Sequence, residues 1–362
     1  MNLGSAISSF WSDRPFHLVL FTTARCNLNC HHCFYREEIH RRNGREELTS
    51  DEFEEIARHY GKIQYLTLSG GEPTLREDLA GICEAFYRHC RVDTIALHTN
   101  GFLTDRVASA TGEILERCDG AQINVGLSLD GFESTHDSIR RVSGSFRNTL
   151  QTLERLQQIK GSNPRLSINL SSVYMKENQL ELEDLYNWMQ REYGLPHYVE
   201  LIRGNTENPD SKDVDFDRYR AFLRKKYIGD VFDKKYRFSS IKRELDYISK
   251  EIMVESILQQ KMMVPCKAGL RSIVIAEDGH VYPCETLKET MGNLRDHGYR
   301  IGEILALANS KEMLRRIKEE ECFCDWRCIV PLNLVYHWRG YPYLSYRIMR
   351  QMLGRFFSTD SA

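Results

Sequence analysis

The chain has 362 residues, of which 41% are hydrophobic, and its formal net charge at pH 7 is −2. This length suits two domains, or one large domain with an appendage, and the hydrophobic fraction is enough for a full core. The near-neutral charge gives no reason to expect a nucleic-acid partner. Most of the eleven cysteines fall in two clusters far apart in the chain, which is typical of metal ligands and not of a short disulfide scaffold.

Strand-like and helix-like segments alternate from His17 to about Gly204. Thr49 and Glu52 are placed as a capping box at the start of the first long helix. Six apolar runs predict strands at residues 16–23, 63–68, 94–98, 123–129, 166–172 and 198–202. An eight-unit barrel needs about 250 residues, so six units should need about 190. The fold class is therefore α/β, with a partial (β/α)6 TIM-like barrel over residues 16–204 behind an N-terminal extension of residues 1–15.

The rest of the chain changes character after residue 204. Polar and charged segments predict a helical linker over residues 205–262. Two short β runs then flank Asp278-Gly279, which is a strong hairpin signal, and a helix is predicted from about Ile301 to Glu320. We therefore expect a small C-terminal α+β domain, made of a hairpin plus a helix, over residues 263–328. Residues 329–362 form a basic, aromatic tail.

Cys26, Cys30 and Cys33 form a C-x-x-x-C-x-x-C run on the loop that leaves the first strand. Thiolates suit iron–sulfur clusters and zinc. A cubane held by protein normally takes four cysteines, so three leave one metal position open for chemistry. Zinc knuckles and ferredoxins use similar runs, so the spacing alone leaves the metal open. A second motif, the Gly70-Gly71-Glu72-Pro73 turn, follows the second strand.

With both motifs in this order, one β/α unit apart, the sequence resembles the radical S-adenosylmethionine (radical SAM) enzymes. The resemblance implies that the three cysteines hold a [4Fe–4S] cluster whose open iron site binds S-adenosylmethionine (SAM). It also implies reductive cleavage of SAM to a 5′-deoxyadenosyl radical, which abstracts hydrogen from a substrate C–H bond. No catalytic residue is assigned beyond the cluster, and the implied electron donor is of the flavodoxin or ferredoxin type. His32 departs from the aromatic residue common before the third cysteine.

Candidate cofactor-binding residues lie mainly at predicted strand ends. They are Gly70, Gly71, Glu72, Thr99, Ser128, Asp130 and Arg140. Glycines can expose backbone carbonyls to the SAM amino group, and Glu72 shapes the turn and its charge. The resemblance implies ribose contacts for Ser128 and Asp130, although either can be an ordinary polar strand end. Arg140 matches an arginine that pairs with the methionine carboxylate, and Arg141 competes for that role.

The second cysteine group lies in the predicted C-terminal domain and consists of Cys266, Cys284, Cys322, Cys324 and Cys328. It resembles the SPASM/twitch extension of radical SAM enzymes, which carries auxiliary iron–sulfur clusters. These cysteines are too few for a full SPASM extension, so a single auxiliary [4Fe–4S] cluster fits better. Cys266, Cys284 and Cys328 are the expected ligands, with the fourth from Cys322 or Cys324. A structural zinc site is the alternative.

The tail and the N-terminus bear on partners and location. No acidic residue lies between Asp325 and Asp360. The tail also has an apolar stripe on one side, with arginines on the opposite side. The tail is therefore a candidate for peripheral membrane contact, and docking on the domain core is the alternative. The N-terminus lacks the features of a signal peptide, and no apolar run approaches the ~20 residues that span a bilayer. We therefore expect a cytoplasmic protein.

Two substrate classes remain open. Peptide-modifying relatives often carry an N-terminal recognition domain, and only about fifteen residues precede the first strand here. A small-molecule or lipid-like substrate is therefore favoured over a peptide or protein substrate. A different class of protein also stays open at this point, namely a non-catalytic zinc-binding protein that holds a partner.

Overall fold

The structure is a computed structural model that describes residues 14–41, 46–229, 239–319, 322 and 329–337. Contacts divide the chain into two compact units. The first comprises Met1–Val214 and Ala268–Arg315, and the second comprises Asp215–Lys267 and Arg316–Ala362. Within the described part of the chain, every helix is too short or too polar to cross a lipid bilayer.

The first unit contains one large sheet. Its strands are β1 His17–Thr23, β2 Tyr65–Gly70, β3 Thr94–Thr99, β4 Gln122–Ser128, β5 Leu166–Tyr174, β6 His197–Leu201, β7 Ser272–Ile275, β8 His280–Tyr282 and β9 Gly292–Asn293. The order in the sheet is β6-β5-β4-β3-β2-β1-β7-β8-β9. Strands β1 to β6 are parallel to their neighbours. Because β6 and β9 lie at separate edges, the sheet is not closed, which confirms the predicted partial barrel.

The predicted hairpin is confirmed, because β7 and β8 pair antiparallel. The sheet continues through it in a way that local pattern could not predict, since β7 pairs in parallel with β1. His17 lies opposite Ser272, and Leu20 lies opposite Ile275. The strands of the predicted C-terminal domain are thus part of the barrel sheet. The domain boundaries given above remain predictions.

Helices separate the strands as expected. They are α1 Arg36–His40, α2 Ser50–Tyr60, α3 Leu79–Cys90, α4 Thr104–Arg117, α5 Glu133–Arg140, α6 Ser145–Ser162, α7 Leu182–Tyr193, α8 Phe216–Gly229, α9 Ser239–Gln259, α10 Ile301–Ala306, α11 Ala308–Lys318 and α12 Val330–Val335. The capping box is confirmed: Glu52 N donates to Thr49 Oγ1, and Thr49 N donates to Glu52 Oε2. The helix predicted from Ile301 is wrong as a single element, because the extended backbone of Leu307 (φ −59°, ψ 147°) ends α10 there.

The two faces of the sheet differ in chemistry. One face carries leucines that are fully buried, such as Leu18 of β1, Leu66 of β2 and Leu97 of β3. On the opposite face, Val19 and Phe21 of β1 belong to a buried apolar cluster with Tyr35 and Val274. The rest of that face, called the polar face here, carries mainly polar or small residues. These are His17, Thr67, His98, Asn124, Gly126 and Asn169. The apolar face packs against the helices. The polar side chains therefore lie on the inner side of the partial barrel.

The described part of the second unit is helical. Ile248 of α9, Val264 and Leu334 of α12 form a buried cluster there. The N–H of Lys267 donates to Asn333 Oδ1 at 2.8 Å, which ties the segment after Cys266 to α12. The segment predicted as a linker therefore contributes to a packed unit with its own core.

Candidate functional site

Cys26, Cys30 and Cys33 lie between the carboxyl end of β1 and α1. Cys30 is buried, and the other two are partly buried. Burial, with smaller contributions from Glu72 and the neighbouring thiols, raises the pKa of Cys26 to about 12. Burial likewise raises the pKa of Cys33 to about 11. Neutral thiols are thus favoured in the protein alone, and a bound metal would release their protons.

In the part of the chain that the structure describes, the thiols of the cysteine loop do not surround one metal-ion position, and buried nitrogens beside them lack hydrogen-bond partners. Among the described residues, no three His, Cys, Asp or Glu side chains converge on one metal-ion position. Thiolates that each bind a different iron do not need to converge in that way. Also within the described chain, Asn27 Nδ2, His32 Nδ1 and Arg140 Nε are buried without a hydrogen-bond partner. These nitrogens leave hydrogen-bonding capacity for a bound group beside the thiols.

The glycine turn packs directly on the cysteine loop. The N–H of Gly71 donates to Thr23 O at 2.8 Å, and the N–H of Glu72 donates to Arg25 O at 2.8 Å. These bonds extend the β1–β2 pairing past the end of the sheet. A Cβ on Gly71 would lie 2.1 Å from Arg25 O, and Gly70 has φ +105°. The glycines are therefore required by the close approach of two backbones, whatever they contribute to SAM binding.

Replacing Gly71 with alanine should displace the cysteine loop. The new Cβ would clash with backbone atoms, which cannot rotate away, so we expect a loss of about 1–3 kcal/mol or more in unfolding free energy. Denaturant unfolding measures this change. Gly112→Ala in α4 is the matched control, because a Cβ there meets nothing within 4 Å. The control should be stabilised by roughly 0.5–1 kcal/mol, as for a helical glycine. Equal stability of both variants would contradict the packing argument.

Glu72 is 1% exposed and joins two strand ends to the loop. Its Oε1 accepts hydrogen bonds from Thr74 Oγ1 at 2.6 Å and Thr99 Oγ1 at 2.8 Å. Its Oε2 accepts the N–H of Asn100 at 2.8 Å, and Asn100 Nδ2 donates to Asn27 Oδ1 at 2.9 Å. Burial raises the pKa of Glu72, while these hydrogen bonds oppose the increase. Glu72 and Thr99 thus act through their neighbours on the position of the cysteine loop.

Asp130 and Arg140 form a buried ion pair beside Cys30. Asp130 follows β4 and is 0% exposed, and its Oδ2 lies 2.5 Å from Arg140 Nη2. Arg140 Nη1 donates to Cys30 Sγ at 3.7 Å. Burial raises the pKa of Asp130, but Arg140 and two nearby histidines outweigh it and lower the pKa to about 2. A continuous chain of contacts therefore runs from the end of β4 to one thiol of the loop.

Two buried histidines flank this ion pair. His32 Nε2 lies 3.9 Å from Asp130 Oδ2, and burial lowers the pKa of His32 to about 3. His136 Nδ1 accepts the N–H of Asp130 at 3.0 Å, and its Nε2 lies 3.2 Å from Ser145 Oγ. Burial lowers the pKa of His136 to about 4. Both rings are therefore neutral at pH 7. Sequence reasoning missed His136, whose role depends on a contact back to the end of β4.

The remaining predicted cofactor residues divide between this site and its edge. Ser128 is the last residue of β4 and lies opposite Ser171 of β5. Arg141, the competitor of Arg140, has φ +58° and forms an ion pair with Glu207 Oε2 at 2.7 Å. The structure therefore directs Arg140 to the cysteine loop and Arg141 to a partly exposed partner. Contacts of these residues with SAM stay predictions.

The second cysteine group is described only in part. Cys284 lies in the first unit, and Cys266 and Cys322 belong to the second. Cys266 is buried, while Cys284 and Cys322 are partly buried. Burial raises the pKa of Cys284, while a hydrogen bond with Thr286 opposes the increase. Cys324, Cys328 and the predicted amphipathic tail lie outside the described residues. The choice between Cys322 and Cys324 stays open.

A buried pair that sequence reasoning missed joins the cysteine loop to the hairpin. The hydroxyl of Tyr35 donates to Glu277 Oε2, and Glu277 lies between β7 and β8. Burial raises the pKa of Glu277 to about 7, although the Tyr35 hydrogen bond opposes the increase. The loop that carries the three thiols is thus anchored to the strand pair that precedes Cys284.

This pair predicts a pH-dependent stability. The folded pKa of Glu277 is about 7, above the unfolded value of about 4.3, so the folded state binds more protons between these values. Unfolding free energy should therefore fall by up to ~3 kcal/mol between pH 5 and pH 8. Glu277→Gln keeps an acceptor for Tyr35 but does not titrate, so its unfolding free energy should lack this decrease. Anaerobic urea unfolding at several pH values measures both proteins, and parallel pH profiles would refute the assignment.

Comparisons with known proteins agree with this geometry. A model of the radical SAM superfamily matches residues 20–189, and a model of the SPASM iron–sulfur cluster-binding domain matches residues 266–329. The chain is 26% identical over 311 residues to an AdoMet-dependent heme synthase of Methanosarcina barkeri, with 83% of each chain covered. It is 27% identical over 307 residues to the subtilosin biosynthesis protein AlbA of Bacillus subtilis, with 79% of this chain and 58% of AlbA covered.

The fold is also similar to that of a solved structure. The structure of anSMEcpe with bound AdoMet has a TM-score of 0.61 to this chain at 18% identity. The similarity covers 94% of this chain and 98% of that one. At this identity the likeness concerns the fold.

Proposed function

The chain is an enzyme of the radical SAM superfamily with a C-terminal SPASM domain, and from this premise we propose that it abstracts hydrogen from a C–H bond of a small polar molecule. Its cofactors are a [4Fe–4S] cluster, an auxiliary iron–sulfur cluster and SAM. Family membership removes the support for a non-catalytic zinc-binding protein. The observation that supports a polar substrate is the polar face of the sheet.

The residues of the first site have separate roles in this proposal. Cys26, Cys30 and Cys33 hold the cluster, and Arg140 with Asp130 orients Cys30. When bound, the cluster and SAM supply reductive cleavage to a 5′-deoxyadenosyl radical, which is cofactor chemistry. The protein places the substrate and excludes water. Cys266, Cys284 and Cys328, with Cys322 or Cys324, are the proposed ligands of the auxiliary cluster.

The polar face supplies hydrogen-bonding groups for a substrate. Asn169 Nδ2 donates to Asn124 Oδ1 at 2.6 Å, and His17 contacts Thr67 Oγ1 at 3.0 Å. The His98 side chain is accessible to solvent, but the protein atoms around it, with the nearby Arg203, lower its pKa to about 4. A ring that is accessible but surrounded lies in a recess, and at pH 7 it offers one donor and one acceptor. The asparagines and His17 already bond within the face, but an apolar ligand would take water from the His98 ring without offering it a partner, at a cost of about 1–3 kcal/mol. This supports a polar substrate over a lipid-like one.

A peptide substrate is the second candidate. Its supporting observation is the similarity to AlbA, a protein of bacteriocin biosynthesis. The similarity to a heme synthase over a larger share of both chains supports the small-molecule proposal. Peptide backbones are polar as well, so the polar face does not decide between the two.

Isotope transfer separates these substrate classes. The reconstituted enzyme would be incubated anaerobically with SAM, a reductant and extract of native host cells grown in D₂O, divided into small-molecule, protein and lipid fractions. We expect deuterium in 5′-deoxyadenosine only with the small-molecule fraction, because the abstracted atom comes from the substrate. Labelling by the protein fraction alone would favour the peptide alternative, and labelling by the lipid fraction would contradict the polar-substrate argument. Unlabelled 5′-deoxyadenosine without extract checks SAM cleavage itself.

Replacing His98 with alanine tests the polar face. We expect deuterium transfer from the active fraction to fall about five- to thirtyfold, since one lost hydrogen bond to a substrate is worth about 1–2 kcal/mol. Substrate-free cleavage of SAM should stay near the wild-type rate. His89→Ala on α3 is the control, because that ring pairs with Glu54 on a neighbouring helix. Equal transfer by the His98 and His89 variants would remove His98 from the substrate site.

A further inference from the structure

One ion pair spans the open side of the sheet. Arg203 follows β6, and Glu285 follows β8, so the two residues leave strands in opposite halves of the sheet order. Arg203 Nη2 nevertheless lies 2.8 Å from Glu285 Oε2, and the Glu285 side chain is only 5% exposed. Because no backbone pairing joins β6 to β8, this side-chain contact connects the two halves where the partial barrel stays open.

The same guanidinium also covers the cysteine loop. Arg203 Cζ lies 4.7 Å from the centre of the Phe34 ring, a distance typical of a cation–π contact. Gly204 has φ +65°, and a Cβ there would lie 2.7 Å from Phe34 Cβ, so the segment after β6 approaches Phe34 closely. A planar guanidinium can stack on a ring while its charge pairs with a carboxylate.

The two partners of Arg203 are sequence neighbours of predicted metal ligands. Phe34 directly follows Cys33, and Glu285 directly follows Cys284. Arg203 therefore contacts the loop of the first predicted cluster and the loop of one ligand of the second. A displacement of either loop breaks the stacking contact or leaves a buried carboxylate without its partner, and both are costly.

We propose that Arg203 is a positioning residue that couples the Cys33 loop to the Cys284 loop across the open side of the sheet. This inference rests on the proposed ligand sets of the two clusters. A change at the auxiliary site is then transmitted to the first cluster loop through Glu285, Arg203 and Phe34.

A coupling experiment tests this directly. Hydrogen exchange of the segment 27–36 would be measured in four reconstituted proteins: wild type, Cys284→Ala, Arg203→Gln/Glu285→Gln, and the combined triple variant. In the wild-type background, Cys284→Ala should accelerate exchange of this segment at least about fivefold, the lower end of typical couplings between sites. In the Arg203→Gln/Glu285→Gln background, the same change should have no further effect. The double neutral substitution avoids leaving one buried charge alone.

Further variants separate coupling from general destabilisation. Arg117→Gln/Glu84→Gln removes an ion pair between helices α3 and α4 and should preserve the effect of Cys284→Ala. Arg203→Lys keeps the charge but loses the planar stack, so it should weaken the effect. An equal response to Cys284→Ala in wild-type and Arg203→Gln/Glu285→Gln backgrounds would overturn the proposal. Loss of SAM cleavage in the wild type would instead overturn the proposed function, so the two failures are distinguishable.

Discussion

Replacing Cys30 with alanine is expected to abolish reductive cleavage of SAM and to halve the iron content. The wild-type chain should hold about eight irons in two [4Fe–4S] clusters, and the variant about four. Cys30 is the buried thiol of the loop, and Arg140 already points a donor at its sulfur. Two remaining cysteines cannot retain a cubane that normally requires three or four thiolates. Iron and sulfide analysis after anaerobic reconstitution, with 5′-deoxyadenosine quantified by chromatography, measures both effects.

Cys83→Ala provides the matched control for this variant. Cys83 is also buried, but it lies in helix α3 among core residues. Its replacement should leave iron content and cleavage near the wild-type values, although a small cavity will lower stability. Full iron and full cleavage in Cys30→Ala would refute the assignment of the loop. About four irons in the wild type, with cleavage intact, would instead remove only the auxiliary cluster.

The fold was predictable wherever the information is local. Apolar runs located all six barrel strands, and Asp278-Gly279 marked the hairpin of β7 and β8. The capping box of α2 was equally readable, since Thr49 and Glu52 are only three residues apart. Each of these features depends on residues within one turn or one strand of each other. Local propensity and pattern carry that kind of information.

The pairing of β7 with β1 was beyond this kind of reasoning. Val19 and Val274 lie opposite each other in the sheet but more than half the chain apart. Both strands are short apolar runs that could pair with many others, and only the global packing selects the partner. The predicted separation of the hairpin from the barrel sheet followed from that missing information.

The site also combines features that are local in sequence with contacts between distant residues. The three cysteines and the Gly70-Gly71 turn could be proposed from the sequence because each motif is contiguous and carries its own chemistry. The contact between Arg140 and Cys30 joins residues 110 positions apart, and no spacing rule reports it. Sequence resemblance directed Arg140 to the methionine carboxylate, whereas the structure gives it Asp130 and a thiol as neighbours. These two neighbours do not conflict with the predicted contact, because the Arg140 guanidinium has five N–H donors and can bind several acceptors at once.

Replacing Asp130 with asparagine should produce the largest loss of stability among these variants. The substitution leaves Arg140 buried with an uncompensated charge, which costs about 3–5 kcal/mol in unfolding free energy. Asp130 Oδ1 also accepts the N–H of Val173 at 2.9 Å, and an asparagine oxygen can preserve this bond. The loss of unfolding free energy in Asp130→Asn therefore reports the removal of the negative charge and not the removal of the whole side chain. Asp213→Asn is the control, because the Asp213 side chain is 78% exposed in its pair with Lys176, and such pairs contribute about 0–1 kcal/mol.

The pH dependence of this loss distinguishes it from the effect of Glu277. The folded pKa of Asp130 is about 2, below the unfolded value of about 3.9, so its contribution is complete above about pH 4 and is lost only as the pH falls from there towards about 2. The difference between wild type and Asp130→Asn should therefore stay constant from pH 6 to pH 8 in anaerobic urea unfolding. Over the same range the Glu277→Gln difference should change. A second substitution, Arg140→Gln, should restore part of the stability lost in Asp130→Asn, because it removes the unpaired charge. Stability that fell further in the double variant would show that Arg140 is held by contacts other than Asp130, and the chain of contacts from β4 to Cys30 would then need another basis.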